Sequence, residues 1–353
     1  MSMIRVGITV GDINGIGPEI VIKALGDKRI TELCTPVIYG NTKLLSFYKK
    51  GIKELEFHFN AIKDASQIPD GKINVINCWQ EDVKFDPGNA RGAMGGKYAF
   101  ASLEAAVNDV MAGRIDVLVT APVDKSNIQK EALDTFTGHT EYLGQRAGAE
   151  PIMLMVHNNL RVALVTGHIS LQDVSRQLTR EKVSAKLEQI SRHLFSDFGI
   201  KKPKIAVLGL NPHNGDQGLF GKEEQEIIIP AIEQMKSKGL PVMGPFPADG
   251  FFASGAYNRF DAVVAMYHDQ GLVPFKLIAG MEGINYTMGL PFVRTSPDHG
   301  TAFDIAGQGK ADESGLRNAI YAAIDIQRKR KQHKEVSGNP LPLLSPEELN
   351  KLK

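Results

Sequence analysis

The stretch Asp261-Ala262-Val263-Val264-Ala265-Met266-Tyr267-His268-Asp269-Gln270-Gly271-Leu272-Val273-Pro274-Phe275-Lys276 decides how the rest of the chain is read. Ala262 to Met266 is a short apolar run with β-branched residues, the composition of a buried strand. It breaks abruptly into Tyr267-His268-Asp269-Gln270-Gly271. In an open α/β sheet, ligands collect where strands end. A His and an Asp at such an end, with Lys276 further along, therefore point to chemistry. The alternative is that His268 is a hydrogen-bonded core residue and Asp269 a helix N-cap.

The same pattern recurs on both sides. Ile4 to Val10 predicts a strand that runs into GDINGIGPE (Gly11 to Glu19), with Pro18 suited to a first helical turn. The glycine spacing is not the G-x-G-x-x-G of a dinucleotide fingerprint, and no acidic residue stands out about 20 residues on. Pro36 to Gly40, Ile73 to Cys78 and Val117 to Thr120 read as strands, the last ending in Ala121-Pro122-Val123-Asp124-Lys125. Gly92 to Gly113 reads as a helix, with Ala99, Leu103, Ala106, Val107 and Val110 at helical spacing. Strands alternating with helices predict an α/β fold.

Ile152 to Val156 and Val162 to Thr166 then flank a polar segment and read as a β-hairpin. Hairpins are foreign to a purely parallel sheet, so a second domain or a sheet of mixed direction begins here. Lys204 to Leu210 predicts another strand, ending in Asn211-Pro212-His213. The helix from Gly221 to Lys238 contains Pro230, which predicts a kink or a break. Pro245 to Gly250 reads as a proline-stiffened loop offering Asp249 as an acid or base. Ser314 to Lys331 reads as the last helix and the tail after Gly338 as an extended arm.

Composition narrows the classes. The 353 residues allow one large or two medium domains. A net charge of +1 gives no global pull towards nucleic acid or acidic membrane. No apolar run reaches the roughly 20 residues of a membrane span, and the N-terminus lacks the basic segment of a signal peptide. Cys34 and Cys78 have no metal spacing and read as reduced residues of a cytoplasmic protein.

His168, His213 and His268 each follow a predicted apolar strand. If those strands share one sheet, the three imidazoles gather at one edge and can hold a divalent metal with open positions. Three imidazoles favour Zn or Co, while Mg would suit a shell completed by substrate oxygens. The bland alternative is three unrelated loop histidines. Around them lie Lys125, Lys276, Arg294, His139, Thr140 and Asn285, a set suited to a small, anionic, phosphorylated hydroxy acid. At Thr137-Gly138-His139-Thr140, helix capping and anion binding are equally open.

The ordered strings GDINGIGPE, TAPVDK, GHTEYL, GLNPHNGDQGLFGKEE, GPFPAD, YHDQGLVPFK and GLPFVRTSPDHGTAFDIAG resemble the 4-hydroxythreonine-4-phosphate dehydrogenase family, over essentially the whole chain to about Lys331. The resemblance implies a two-domain α/β subunit of the isocitrate and isopropylmalate dehydrogenase-like fold, with mixed sheets flanked by helices and a cleft between domains. One domain would hold residues 1–135 and 290–353, and the other 136–289. The resemblance implies that His168, His213 and His268 bind metal and that His139, Thr140, Lys276, Asn285 and Arg294 bind substrate. It further implies that Asp298, His299, Gly300 and Asp304 bind NAD or NADP, and that Asp249 and Lys276 are the candidate acid–base groups.

It also implies a homodimer with shared active sites, and suggests that His268 completes a site whose other ligands belong to the partner subunit. The activity so implied is oxidation and decarboxylation of 4-phosphooxy-L-threonine in pyridoxal phosphate biosynthesis. A paralogue acting on 4-phospho-D-threonate or erythronate is the nearest alternative. A metal-dependent lyase or phosphate acyltransferase on the same sheet is a more distant one. Ile13-Asn14, Gly167 and Gly250 depart from the family's usual residues, a Pro-containing pair and two threonines. The last two put fine substrate choice in doubt more than the chemistry.

Overall fold

A computed structural model describes residues 3–53, 55–90, 92 and 94–338. Its strands are β1 (Ile4–Thr9), β2 (Cys34–Gly40), β3 (Asn60–Ile62), β4 (Asn74–Asn77), β5 (Val117–Thr120), β6 (Ile152–His157), β7 (Leu160–Leu164), β8 (Ile205–Leu208), β9 (Val242–Phe246), β10 (Ala262–Ala265), β11 (Ile284–Met288) and β12 (Val293–Pro297). They form one sheet in the order β3-β4-β2-β1-β5-β12-β11-β6-β7-β10-β8-β9. The first six run parallel, as do the last four. Between these blocks, β11 is antiparallel to both β12 and β6, and β6 is antiparallel to β7. Three reversals in succession leave the two parallel blocks pointing in opposite directions. The expected mixed α/β architecture is present, as a single continuous sheet rather than separate ones.

The strands are buried on both faces because helices cover both. Alternate side chains enter different cores. On one face a single core runs from Val75 on β4 through Ile8, Val293, Tyr286 and Val264 to Val242 on β9. The opposite face has two separate cores. One, containing Val37, Leu118, Leu103 and Tyr142, lies on the first block. The other, containing Met155, Val263, Phe251 and Phe275, lies on the second. The division falls at β11 and β12. Ile284, Tyr286, Met288 and Val293 belong to the continuous core, so strand alternation turns Asn285, Thr287 and Arg294 to the divided face. A buried polar strip there replaces the hydrophobic core.

The hairpin joins β6 and β7 through Asn158-Asn159, with Asn158 at φ 51°, as a two-residue turn of right-twisted strands favours. Two local expectations are corrected, and the break expected in a third element is located. β9 continues through Pro245 to Phe246, and a helix spans Ala248–Ala253, so Asp249 stands in a first helical turn and not in a loop. The break expected at Pro230 falls just before it. A π-helical turn over Glu224–Ile228 precedes the α-helix Ile229–Ser237, which places the proline in a first turn where its missing N–H costs nothing. The last helix is longer than predicted, Ser314–Gly338. The tail beyond it, read above as an extended arm, lies outside the described residues.

That last helix is tied across the sheet by a buried network. Asp197, 1% exposed, accepts hydrogen bonds from Arg330 Nε at 2.8 Å and from the Tyr286 hydroxyl, with His193 Nδ1 at 3.0 Å. Burial opposes ionisation of Asp197, but the His193 and Arg330 bonds outweigh it and hold the carboxyl well below the usual range.

Candidate active site

Arg294 lies in that polar strip. It is 2% exposed, yet its guanidinium meets only hydroxyls: Nη1 donates to Thr287 Oγ1 at 2.8 Å, and Nε and Nη2 donate to Thr120 Oγ1. Burial pushes its pKa down to about 9, with Glu141 opposing the shift. Two further polar atoms nearby in the fold are enclosed and unpaired, Asn285 Oδ1 and His139 Nε2. His139 opens the helix His139–Ala147. Neither it nor Thr137 caps that helix, because Gly138 is the N-cap and no side chain bonds the first turn. Burial, Arg294 and Lys125 together hold the His139 imidazole well below its usual pKa, so it is neutral near pH 7. The Arg294 guanidinium thus suits an anion with several acceptor oxygens, while the unpaired Asn285 Oδ1 suits a donor such as a hydroxyl or an ammonium.

The three predicted histidines follow β7, β10 and β8, which are adjacent and parallel. The sheet therefore delivers all three loops to one edge. His168 and His268 face each other, with ring centroids 5.5 Å apart. His168 Nδ1 lies 3.7 Å from Glu141 Oε1, and His268 Nδ1 lies 2.7 Å from Asp269 Oδ1. The two rings line a cavity of about 330 Å³. His213 instead lines the adjoining cavity, of about 560 Å³, with Asp249, Tyr267, Asp269 and Gln270. Tyr267 and Asp269 border both. Among the described residues no three metal-ligating side chains are gathered closely enough to hold an ion. The donor chemistry suits a transition metal, and two of the three imidazoles are already paired within one chain.

His213 sits in an unusual turn. His213, Asn214, Gly215, Asp216 and Gln217 all have positive φ, between 40° and 76°. Left-handed backbone costs about 1–2 kcal/mol for each residue other than glycine, so tertiary contacts must hold this turn in place.

The opposite wall joins two glycine-rich strings. Ile16 N donates to Thr301 O at 2.9 Å. A Cβ on Gly15 would stand 2.9 Å from that same carbonyl, so only glycine fits the approach. Beneath it Asp12 is fully buried, accepts from Asn127 Nδ2 at 3.0 Å and from Asn14 N at 3.0 Å, and has its pKa raised by burial. Lys276 Nζ reaches Asp298 Oδ1 at 3.1 Å. His299 keeps an enclosed, unpaired Nε2, and its pKa is lowered by burial. Gly300 borders open space, and Asp304 is exposed on the short turn Phe303–Ile305. Unpaired donors, open backbone and a close glycine approach are features a dinucleotide can use.

The family model described as "Pyridoxal phosphate biosynthetic protein PdxA" matches residues 32–323. The 4-hydroxythreonine-4-phosphate dehydrogenase of Bacteroides thetaiotaomicron is 48% identical over 342 residues, covering 96% of this chain and 93% of its own. This chain belongs to the PdxA family. A solved 4-hydroxythreonine-4-phosphate dehydrogenase from Klebsiella pneumoniae superimposes with a TM-score of 0.79 at 35% identity, over 93% of this chain and 98% of that one. A relative from Oceanobacillus iheyensis, 40% identical over 91% of this chain and 97% of its own, carries the name of a D-threonate 4-phosphate dehydrogenase.

As a PdxA-family member the chain is an oxidoreductase, and the structure adds residues that sequence reading did not select. Glu141 lies inside the GHTEYL string but was passed over, because its partner His168 belongs to another element. The neighbouring His168 imidazole holds the Glu141 pKa down. Gln270 was read only as part of a loop. Its Oε1 accepts from Met266 N at 2.7 Å, and its Nε2 donates to Gly209 O at 2.6 Å, joining the ends of β10 and β8. Glu224 closes the GLNPHNGDQGLFGKEE string, but nothing local shows that its carboxylate reaches Leu210 and Asn211.

Proposed function

We propose that this chain oxidises 4-phosphooxy-L-threonine with NAD or NADP to 2-amino-3-oxo-4-phosphooxybutanoate, which loses CO2 to give 3-amino-2-oxopropyl phosphate on the route to pyridoxal 5'-phosphate. The observation that carries this reading is the buried Arg294 guanidinium, which among the described residues hydrogen-bonds only hydroxyls, beside the unpaired Asn285 Oδ1 and His139 Nε2. In this reading Arg294, His139, Thr140, Asn285 and Lys276 bind the phosphate and carboxylate and fix the secondary hydroxyl. Asp249 or Lys276 takes the hydroxyl proton. The C–H hydrogen leaves as hydride, and the β-keto acid then loses CO2, its bonding electrons passing towards the new carbonyl. Asp298, His299, Gly300 and Asp304 line the nicotinamide nucleotide, which supplies the hydride acceptor when bound. His168, His213 and His268 hold a divalent ion, Zn, Co or Mg, which supplies Lewis acidity at the substrate oxygen when bound.

The working form in this reading is a cytoplasmic homodimer with shared sites, each subunit being two lobes that meet at β11 and β12. Its support is apolar exposure around the histidine loops: Leu171 at 71%, Leu219 at 72%, Val273 at 55% and Leu277 at 82%. A second copy of the chain would cover these residues and could bring His213 and the paired imidazoles into one site; because His168 faces His268 within one chain, His213 rather than His268 would then be the ligand that crosses between subunits. The free cysteines, Cys34 and Cys78, agree with a reducing compartment.

The Oceanobacillus relative supports a second reading, oxidation of 4-phospho-D-threonate. One assay separates the two. Nicotinamide reduction is followed by absorbance with each phospho-acid, with and without a chelator. Turnover of the L-threonine compound alone supports the first reading, and turnover of the D-threonate compound alone replaces it. No reduction with either rejects the dehydrogenase, and full activity after exhaustive chelation rejects the metal.

A further inference from the structure

The three histidine loops are tied to one another by a polar brace beneath the sheet edge. Its centre is Glu224, 1% exposed at the start of the π-helical turn. Glu224 Oε1 accepts from the amides of Leu210 and Asn211, each at 2.7 Å, and Oε2 accepts from Asn211 Nδ2 at 2.9 Å. Both carboxylate oxygens are therefore spent on the two residues that lead from β8 into the left-handed turn of His213. A Cβ on Gly215, inside that turn, would stand 2.7 Å from Glu224 Oε2, so the turn is also packed directly on the carboxylate.

Its neighbour Glu223 extends the brace sideways. Glu223 Oε2 accepts from Asn211 Nδ2 at 2.8 Å, and Oε1 accepts from Ser175 Oγ at 2.6 Å. Ser175 lies on the helix Leu171–Gln177, which the chain enters just after His168. Gln270 closes the third side by joining Met266 N to Gly209 O from the first turn of the helix that His268 begins. The loops of His168, His213 and His268 thus meet at Gly209 to Asn211 through three side chains.

We propose that Glu224, supported by Glu223 and Gln270, is the positioning residue that holds the left-handed His213 turn and sets its distance from His168 and His268. The carboxylate chemistry explains the choice of residue. Charge-assisted bonds to two consecutive amides are strong and directional, and they offset a backbone that would otherwise relax out of positive φ. The π-turn supplies the geometry by widening the helix where Glu224 must reach Leu210 and Asn211. The metal part of the test rests on the proposed role of the three histidines, and the backbone part does not.

The test uses full-length Glu224→Ala, Glu224→Gln and Gln270→Leu proteins beside unmodified protein and His213→Ala. Amide hydrogen exchange is read on peptides covering 209–218 and, as a control, on β1. Zn affinity is read by competition with a chromophoric chelator. In Glu224→Ala, exchange over 209–218 should quicken at least tenfold with β1 unchanged, and Zn affinity should fall at least tenfold. Glu224→Gln keeps the side-chain volume and one oxygen for both amides but loses the charge and turns an N–H towards Asn211 Nδ2, so it should recover only part of each loss, whereas a purely steric role predicts full recovery. Gln270→Leu should weaken Zn binding with a smaller change in exchange. Should Glu224→Ala not fold, the Gln and Leu variants decide. Unchanged exchange over 209–218 in Glu224→Ala, or full recovery in Glu224→Gln, would overturn the proposal. If His213→Ala binds Zn as tightly as the unmodified protein, the histidine metal reading fails, and exchange alone judges the brace.

Discussion

A buried guanidinium that meets only hydroxyls is electrostatically incomplete, and Arg294 is such a group. Its planar fork can meet Thr287, Thr120 and an incoming anion together, which a lysine ammonium cannot do. Arg294→Lys should therefore lower kcat/KM by roughly 100-fold, the loss of a charge-assisted bond worth about 1.5–3 kcal/mol, while leaving the thermal midpoint nearly unchanged. Steady-state kinetics beside a melting curve checks both. His139 gives a second outcome with a definite sign. Burial and the cations Arg294 and Lys125 hold its pKa down, and an arriving anion offsets those cations and lets it rise. Binding of a phosphorylated ligand below neutral pH should then take up a proton, seen as calorimetric heats that depend on buffer ionisation. The uptake should vanish in His139→Asn. Arg294 and Asn285 were legible because donors crowd one string. Glu141 was not, because its significance lies in His168, which only folding brings beside it.

At the scale of elements, the helix His268–Ala279 presents two different faces. Leu272, Phe275 and Ala279 enter the core of the second parallel block, while Val273 and Leu277 and the following Met281 are exposed in a stripe at four-residue intervals. That stripe is the dimer face proposed above. Leu277→Glu should shift the protein to a monomer by sedimentation or light scattering, with little loss of helix content. Loss of activity in that monomer would tie the site to the assembly. The strand before this helix, and the His at its end, were readable because an apolar run and a sharp polar break are local signals. The left-handed turn at His213 was not readable. Four of its five residues are not glycine, and a carboxylate from a different element imposes their backbone. Pro230 was correctly seen as disruptive to a regular helix, but the π-turn that accommodates it depends on where Glu224 has to reach.

At the scale of the molecule, Asp197 links the helix Arg180–Phe198, strand β11 and the C-terminal helix through Tyr286 and Arg330. Asp197→Asn leaves Arg330 without its buried counter-charge and should cost about 3–5 kcal/mol, read from denaturant unfolding near neutral pH. The folded Asp197 pKa lies below its unfolded value of about 3.9. Its stabilisation is therefore complete above that value and is lost as pH falls through it towards the folded pKa. Unmodified protein should consequently lose more stability than Asp197→Asn as pH drops from about 5 to about 3. The sequence by itself determined the α/β class, the hairpin, the strand-end histidines and the family, because these rest on local periodicity and on ordered strings of residues. The tertiary structure alone decided that one sheet carries both halves, and that its divided face opens at Asn285 and Arg294. It also paired His168 with His268 while leaving His213 in the next cavity. Strand order, direction and the packing of buried charges are long-range properties, fixed by which apolar faces and polar partners meet once the chain has closed on itself.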